Sequence, residues 1–171
     1  MSNTQVRLTV FVAASLFIAL LYLVISRVEH HETYKHLNQH LDAAGVRFHQ
    51  TEDEVVAKLG EGEYMEGFGG HGRDYKDYGI RISIPTDKNS LMFGRVDAVE
   101  CYGSDCSLYG IKKGDAIKKA EAAFLDQNYS ETFDQGYSFE NGEYVILLQG
   151  YEQVESFTVF FRDEDLRNRD Y

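Results

Sequence analysis

The chain has 171 residues, 43% of them hydrophobic, with 17 Lys plus Arg against 28 Asp plus Glu and a formal net charge of −11. That length suits one compact domain or two small repeats, not a large multidomain enzyme. The 12 Tyr and 11 Phe are too large an aromatic supply for a fully disordered chain, and the composition argues against collagen-like, low-complexity and zinc-finger chains.

The apolar residues are unevenly spread. Leu8 to Ile25 reads LTVFVAASLFIALLYLVI, 18 positions without a charge, between Arg7 and Arg27. At about 1.5 Å per residue a helix of that length spans roughly 27 Å, close to the hydrocarbon thickness of a bilayer. The run exceeds the h-region of a cleavable signal peptide, and no A-x-A site or lipid-attachment cysteine follows it. Residues 8–26 are therefore expected to be an uncleaved transmembrane signal anchor and residues 1–7 a cytoplasmic tail. The flanking charges orient it only weakly. The short leading tail, the long acidic remainder and the cysteine pair in CYGSDC favour an extracytoplasmic C-terminal domain. Cys101 and Cys106 are the only cysteines and are expected to close a disulfide loop in an oxidising compartment.

Setting aside Arg7, the single charged side chain before residue 27, leaves 16 basic against 28 acidic side chains. Such a domain has no electrostatic footprint for nucleic acid. Solubility explains the charge, and cationic peptides, metal ions or a basic protein patch would be compatible partners.

Residues 27–44 contain no Gly or Pro and read as a polar juxtamembrane helix or stalk that stops at Gly45. They hold His30, His31, His36 and His40. His36 and His40 would share a helix face, but two imidazoles alone make a weak site, and no metal is assigned.

Past Gly45 the sequence repeats. Gly45-Val46 aligns with Gly110-Ile111, Thr51–Leu59 with Ala116–Phe124, and Tyr64 with Tyr129. Both aligned stretches predict short amphipathic helices. Thr51 with Glu54 forms a capping-box pattern, and Asp115 is the expected N-cap of the second helix. Strands are predicted around Tyr75, at Ile80–Ile84 ended by Pro85, and at Val96–Tyr102. In the second half they fall at Gly136–Glu140, Glu143–Gln149 and Val154–Phe161, with Asn141-Gly142 as a type I′ hairpin turn. The expected fold is α+β, with two tandem α-β-β-β repeats (45–109 and 110–165) and a tail at 166–171.

This element order, with Gly110-Ile111, Gly114-Asp115, Phe124 and the aromatic end strand, resembles a class of bacterial envelope modules. It includes the β-lactamase inhibitor protein fold, the SmpA/OmlA lipoproteins and the YjgB-like proteins. The resemblance covers roughly residues 45–163 and implies a module that binds proteins through a sheet surface without a catalytic centre. The chain departs from the SmpA/OmlA pattern in carrying a membrane helix in place of a lipidated cysteine.

No catalytic motif emerges. The glycine-rich Gly67–Arg73 stretch lacks the Lys-Ser/Thr end of a phosphate loop and is expected to be a mobile loop. Its Phe68, His71 and Arg73 are the first choice for partner contact. No Gly-x-Ser-x-Gly elbow or calcium loop occurs, and no cofactor is expected. The expected function is a non-catalytic, membrane-tethered interaction or sensing module with an envelope protein as possible partner. The alternative is a metal-dependent or dispersed-site envelope enzyme using His71, Arg73 and nearby acids. A pocket joining His71 to two carboxylates would favour the enzyme. A flat aromatic sheet face would favour the interaction module.

Overall fold

The computed structural model describes residue 17 and residues 33–67, 69–132 and 137–163. The predicted anchor (8–26) and cytoplasmic tail, His30 and His31, Phe68, and the 166–171 tail lie outside the described residues, Phe17 excepted. Among the described residues no helix is long and apolar enough to cross a membrane.

The described chain is α+β, with helices and antiparallel sheets. Its first element, α1, is helical over 33–40 and runs into strand β1 (Leu41–Asp42). Leu37 and Leu41, four residues apart in a polar sequence, are fully buried. Asn38 ties the helix down, accepting from Phe48 N at 2.8 Å and donating to Phe48 O at 3.2 Å. The segment expected as a solvated helix or stalk thus docks on the domain through its few apolar residues.

Helix α2 (Glu52–Leu59) is followed by strands β2 (Glu63–Gly67), β3 (Gly70–Tyr75), β4 (Ile80–Pro85) and β5 (Ala98–Cys101). Strands β6 (Ser107–Leu108) and β7 (Ile111–Lys112) pair with β1 in a small separate sheet. Helix α3 (Ile117–Asp126) then leads to β8 (Ser130–Thr132), β9 (Ser138–Asn141), β10 (Tyr144–Gln149) and β11 (Ser156–Phe161). The large sheet has eight strands in the order β2-β3-β4-β5-β11-β10-β9-β8. Each helix is thus followed by four of its strands, not three. The edge strands β2 and β8 escaped the sequence reading because EYMEG and SET have neither apolar alternation nor β-branched runs to announce them.

The two halves meet at β5 and β11, where Val99 faces Val159, Glu100 faces Thr158 and Cys101 faces Phe157. Their backbones correspond closely. Val96 N donates to Gln50 O and Val154 N to Asp115 O, while His49 N donates to Val96 O and Gly114 N to Val154 O. The same holds for Glu52 N to Gly94 O and Ile117 N to Glu152 O, and isolated bridges join Thr51 to Arg95 and Ala116 to Gln153. The turns before the helices match as well. Ala44-Gly45 has φ of 52° and 76°, and so has Tyr109-Gly110, the paired positive values of a type I′ turn.

Local details differ from expectation at three points. The β9–β10 turn is centred on Gly142-Glu143, not Asn141-Gly142, because Asn141 pairs directly with Tyr144. Only Gly142 then needs positive φ (59°), and this register keeps Phe139 opposite Ile146 in the core. The N-cap of α3 is Ala116, without a side-chain cap bond; Asp115 instead accepts from Lys112 N and from Lys119 Nζ at 2.8 Å. The Gly67–Arg73 stretch is mostly a hairpin. Gly67 ends β2, pairs with Gly70, and is followed two residues later by β3. A Cβ on Gly70 would lie 2.4 Å from Ile84 O, so this close strand approach requires glycine.

The inner face of the sheet carries the core. A cross-strand row runs Phe139, Ile146, Val159, Val99, Ile82, Arg73, Tyr64. Helix α3 buries Ile117, Ala120 and Phe124 on this side, with the Phe124 ring 5.4 Å from Phe139. Helix α2 buries only Val55 and meets the same face through Glu52. Both helices therefore cover one face of the sheet.

Candidate functional site

Strand pleating puts alternate residues on the opposite, outer face. One row there reads Glu140, Val145, Phe160, Ala98, Ser83, Gly72, Met65 from β9 to β2. The row beside it reads Ser138, Leu147, Thr158, Glu100, Arg81, Asp74, Glu63. In the first row small residues separate the large Phe160 and Met65. The missing side-chain volume leaves a cleft of about 590 Å³, lined by Met65, Gly70, Gly72, Ser83, Asp97 and Phe160 among others. Gly72 is required there, since a Cβ would come within 2.9 Å of Ile82 O.

One end of the cleft is acidic. Asp97 borders it just before the chain begins β5, and Ser83 hydrogen bonds its carboxylate, while its buried Oδ1 has no hydrogen-bond partner among the described residues. Burial, reinforced by the charge of Asp163, pushes the Asp97 carboxyl up to about 6. Asp163 is itself fixed, accepting from Ser90 Oγ at 3.1 Å and Leu91 N at 3.0 Å.

The second row forms a charged network. Arg81 donates to Glu100 at 2.6 Å, lies 3.6 Å from Asp74, and sits over the Tyr102 ring at 5.6 Å. Tyr102 donates to Asp74 at 2.5 Å, and burial together with that hydrogen bond pushes its hydroxyl up to about 12.

Of the expected contact residues, His71 and Arg73 lie on strand β3, not on a loop, and their side chains turn to helix α2. His71 Nε2 is 2.8 Å from Glu52 Oε1, and Arg73 Nε donates to the same oxygen at 2.6 Å. Burial alone would raise the Glu52 carboxyl, but these two partners outweigh it and hold it below the usual carboxylate range. Arg73 also reaches Glu61, at 2.9 Å, and the Tyr64 ring stacks on His71. His71 borders the cleft, yet its ring nitrogen is engaged on the helix side, away from Asp97 and Asp163. The cleft is therefore neither the His-dicarboxylate pocket nor the flat aromatic face weighed from the sequence.

Cys101 and Cys106 are joined at disulfide distance, with Cα atoms 5.6 Å apart, and both are buried. His36 and His40 bring their rings to 4.6 Å and both pack on Tyr109. Among the described residues no group of three or more His, Cys, Asp or Glu side chains is placed to hold a metal ion.

The residues that sequence reasoning missed are Ser83, Asp97, Phe160 and Asp163. Asp97 alone left a signal, a charge inside the apolar Val96–Val99 stretch; the others become neighbours only through strand register. No protein-family model, curated protein or solved structure matches the chain.

Proposed function

We propose that this chain is a non-catalytic interaction or sensing module, tethered to the cell membrane by residues 8–26, its C-terminal domain extracytoplasmic. It binds an envelope protein through the outer face of its sheet. The observation that carries the reading is the asymmetry of that sheet. The helices cover one face, and the other presents a trough between Phe160 and Met65 beside a row of charged side chains. The duplicated α-β-β-β plan, here with an added edge strand per half, fits such a role. It is the arrangement expected of the envelope modules whose element order the sequence resembles. The uncharged N-terminal run and the Cys101–Cys106 pair support the extracytoplasmic placement.

Photo-crosslinking in cells expressing the full chain tests this. A crosslinker at Met65 on the outer face should trap a partner, and one at Lys118 on the exposed side of α3 should not. Crosslinks from Lys118 alone, or from neither position, would overturn the proposal.

A second reading, a dispersed-site envelope enzyme, is favoured by one observation: the raised carboxyl of Asp97 beside Asp163 in a cleft is a pairing suited to acid–base chemistry. It would require turnover that rises and falls around pH 6 and is lost in Asp97→Asn.

A further inference from the structure

The turn between β4 and β5 presents apolar side chains where a turn is ordinarily polar. Leu91 is 62% and Phe93 48% exposed, while Ser90 and Met92, which alternate with them, are buried. Elsewhere among the described residues the exposed large apolar side chains stand singly along the chain. Scattered ones need no explanation, whereas two on one tip form a patch. The turn is held from beneath. Asp163 accepts from Ser90 Oγ and Leu91 N, Ser90 Oγ accepts from Met92 N at 3.1 Å, and Gly94 N donates to Pro85 O at 3.0 Å. Lys88 and Arg95, both exposed, flank the apolar pair.

The place of this tip in the molecule decides what it can meet. The described domain begins at Thr33 in α1. The Tyr34 ring lies 4.6 Å from His49, and His49 O accepts from Arg95 Nη1 at 2.7 Å. Two residue contacts therefore link the start of the domain to the turn. Residues 27–32 can span at most about 20 Å, so an anchor at 8–26 holds this end of the sheet close to the bilayer. Strands β5 and β11 are antiparallel, so the matching turn before β11, with Tyr151 at 83% exposure, lies at the opposite end. That turn reads Gly-Tyr-Glu-Gln-Val-Glu and carries no cation.

We propose that Leu91 and Phe93 insert into the outer leaflet of the bilayer that holds the anchor, as a second membrane contact of the domain. The two side chains enter the boundary between headgroups and acyl chains. The stems of Lys88 and Arg95 run beside them with their charges at the phosphates. A fluid surface needs no complementary pocket, and the tether presents it to the turn at high effective concentration. The acidic balance of the chain disfavours strongly anionic lipid, so the surface is one of zwitterionic headgroups. This rests on residues 8–26 being a membrane anchor. Docked so, the sheet stands on the end where β5 begins, and its outer face stays open to a protein.

The chain contains no Trp, so a single introduced one reports its own surroundings. The full-length Phe93→Trp chain is reconstituted into phosphatidylcholine vesicles with plain or brominated acyl chains. Its emission should fall by about half or more with the brominated lipid, as expected of a ring roughly 5–10 Å into the headgroup boundary. Full-length Tyr151→Trp should lose none. Adding Leu91→Asp to Phe93→Trp should reduce the quenching. Equal quenching at positions 93 and 151, none at 93, or quenching indifferent to Leu91→Asp would overturn the contact. So would a blue-shifted Trp emission from position 93 that brominated lipid leaves intact, because a second copy or the chain's own tail then covers the turn. An alkaline carbonate wash separates the two readings. A chain that stays with the vesicles while position 93 remains unquenched keeps the anchor and loses this contact; a chain that washes off loses both.

Discussion

The two halves of the sheet share a backbone plan and divide its uses. In the second half, α3 buries Ile117, Ala120 and Phe124 against Phe139 and Tyr129, and the strands add Tyr144, Phe157 and Phe161. In the first half, α2 fully buries only Val55, with Leu59 half-buried against the core, and adds a polar cluster of Glu52 with His71 and Arg73. The same half holds the glycines of β3, which floor the cleft that Phe160 and Asp163 of the second half border. One copy of the plan is packed by aromatic volume. The other gives up volume, supplements a smaller apolar contact of its helix with directional polar bonds, and borders an open cleft.

The largest effect should come from the packed half. Phe124→Ala should destabilise the chain by about 3–5 kcal/mol, whereas Val55→Ala on the equivalent helix should cost about 1–3 kcal/mol. Equilibrium denaturant unfolding of the two variants compares them directly. Equal losses would show that the halves contribute alike and would remove the contrast.

The cleft-bearing half should contain a site that opposes stability. The folded-state carboxyl of Asp97 is raised from 3.8 to about 6, so the native chain holds this proton more tightly than the unfolded chain does. The group therefore lowers stability as pH rises from about 4 to about 6, and the penalty is complete above that window. Asp97→Asn removes it and should stabilise the chain by about 1–3 kcal/mol at pH 7, a gain that disappears below about pH 4. Thermal unfolding of wild type and variant at pH 4 and pH 7 measures the difference. A variant less stable than wild type at pH 7 would contradict the strained carboxylate.

The smallest effect concerns the helix starts. Thr51 accepts from Glu54 N at 3.3 Å while Glu54 bonds back to Thr51 N at 2.8 Å, a complete capping box, and Ala116 at the equivalent position has no side-chain cap. Thr51→Ala should cost about 1 kcal/mol, and Ala116→Ser should gain roughly half that, both read from unfolding midpoints. A neutral Ala116→Ser would mean that backbone bonds such as Ile117 N to Glu152 O already satisfy that helix start.

Local signals were readable where a short stretch settles its own geometry. The Thr51–Glu54 box, the isoleucines of β4 and the matching turns at Gly45 and Gly110 show in the letters because each depends on a few neighbouring residues. Strands β2 and β8 were not readable, since a sheet edge needs no apolar pattern of its own. The cleft was not readable either. Gly72, Ser83, Asp97 and Phe160 are scattered along the chain, and only the register of four strands places them together.

By itself, then, the sequence determined the α+β class, a helix-then-strands repeat without its edge strands, the pairing of two nearby cysteines and the acidic balance, because periodicity, spacing and charge are properties of the chain read in line. Tertiary structure alone decided that eight strands form one sheet with β5 joined to β11, and that both helices cover the same face. It also decided that His71 and Arg73 turn inward to Glu52 while Asp97 borders an outer trough. The physical reason is pleating: a side chain's face depends on the parity of its register, and register is fixed by pairing with strands far away in sequence.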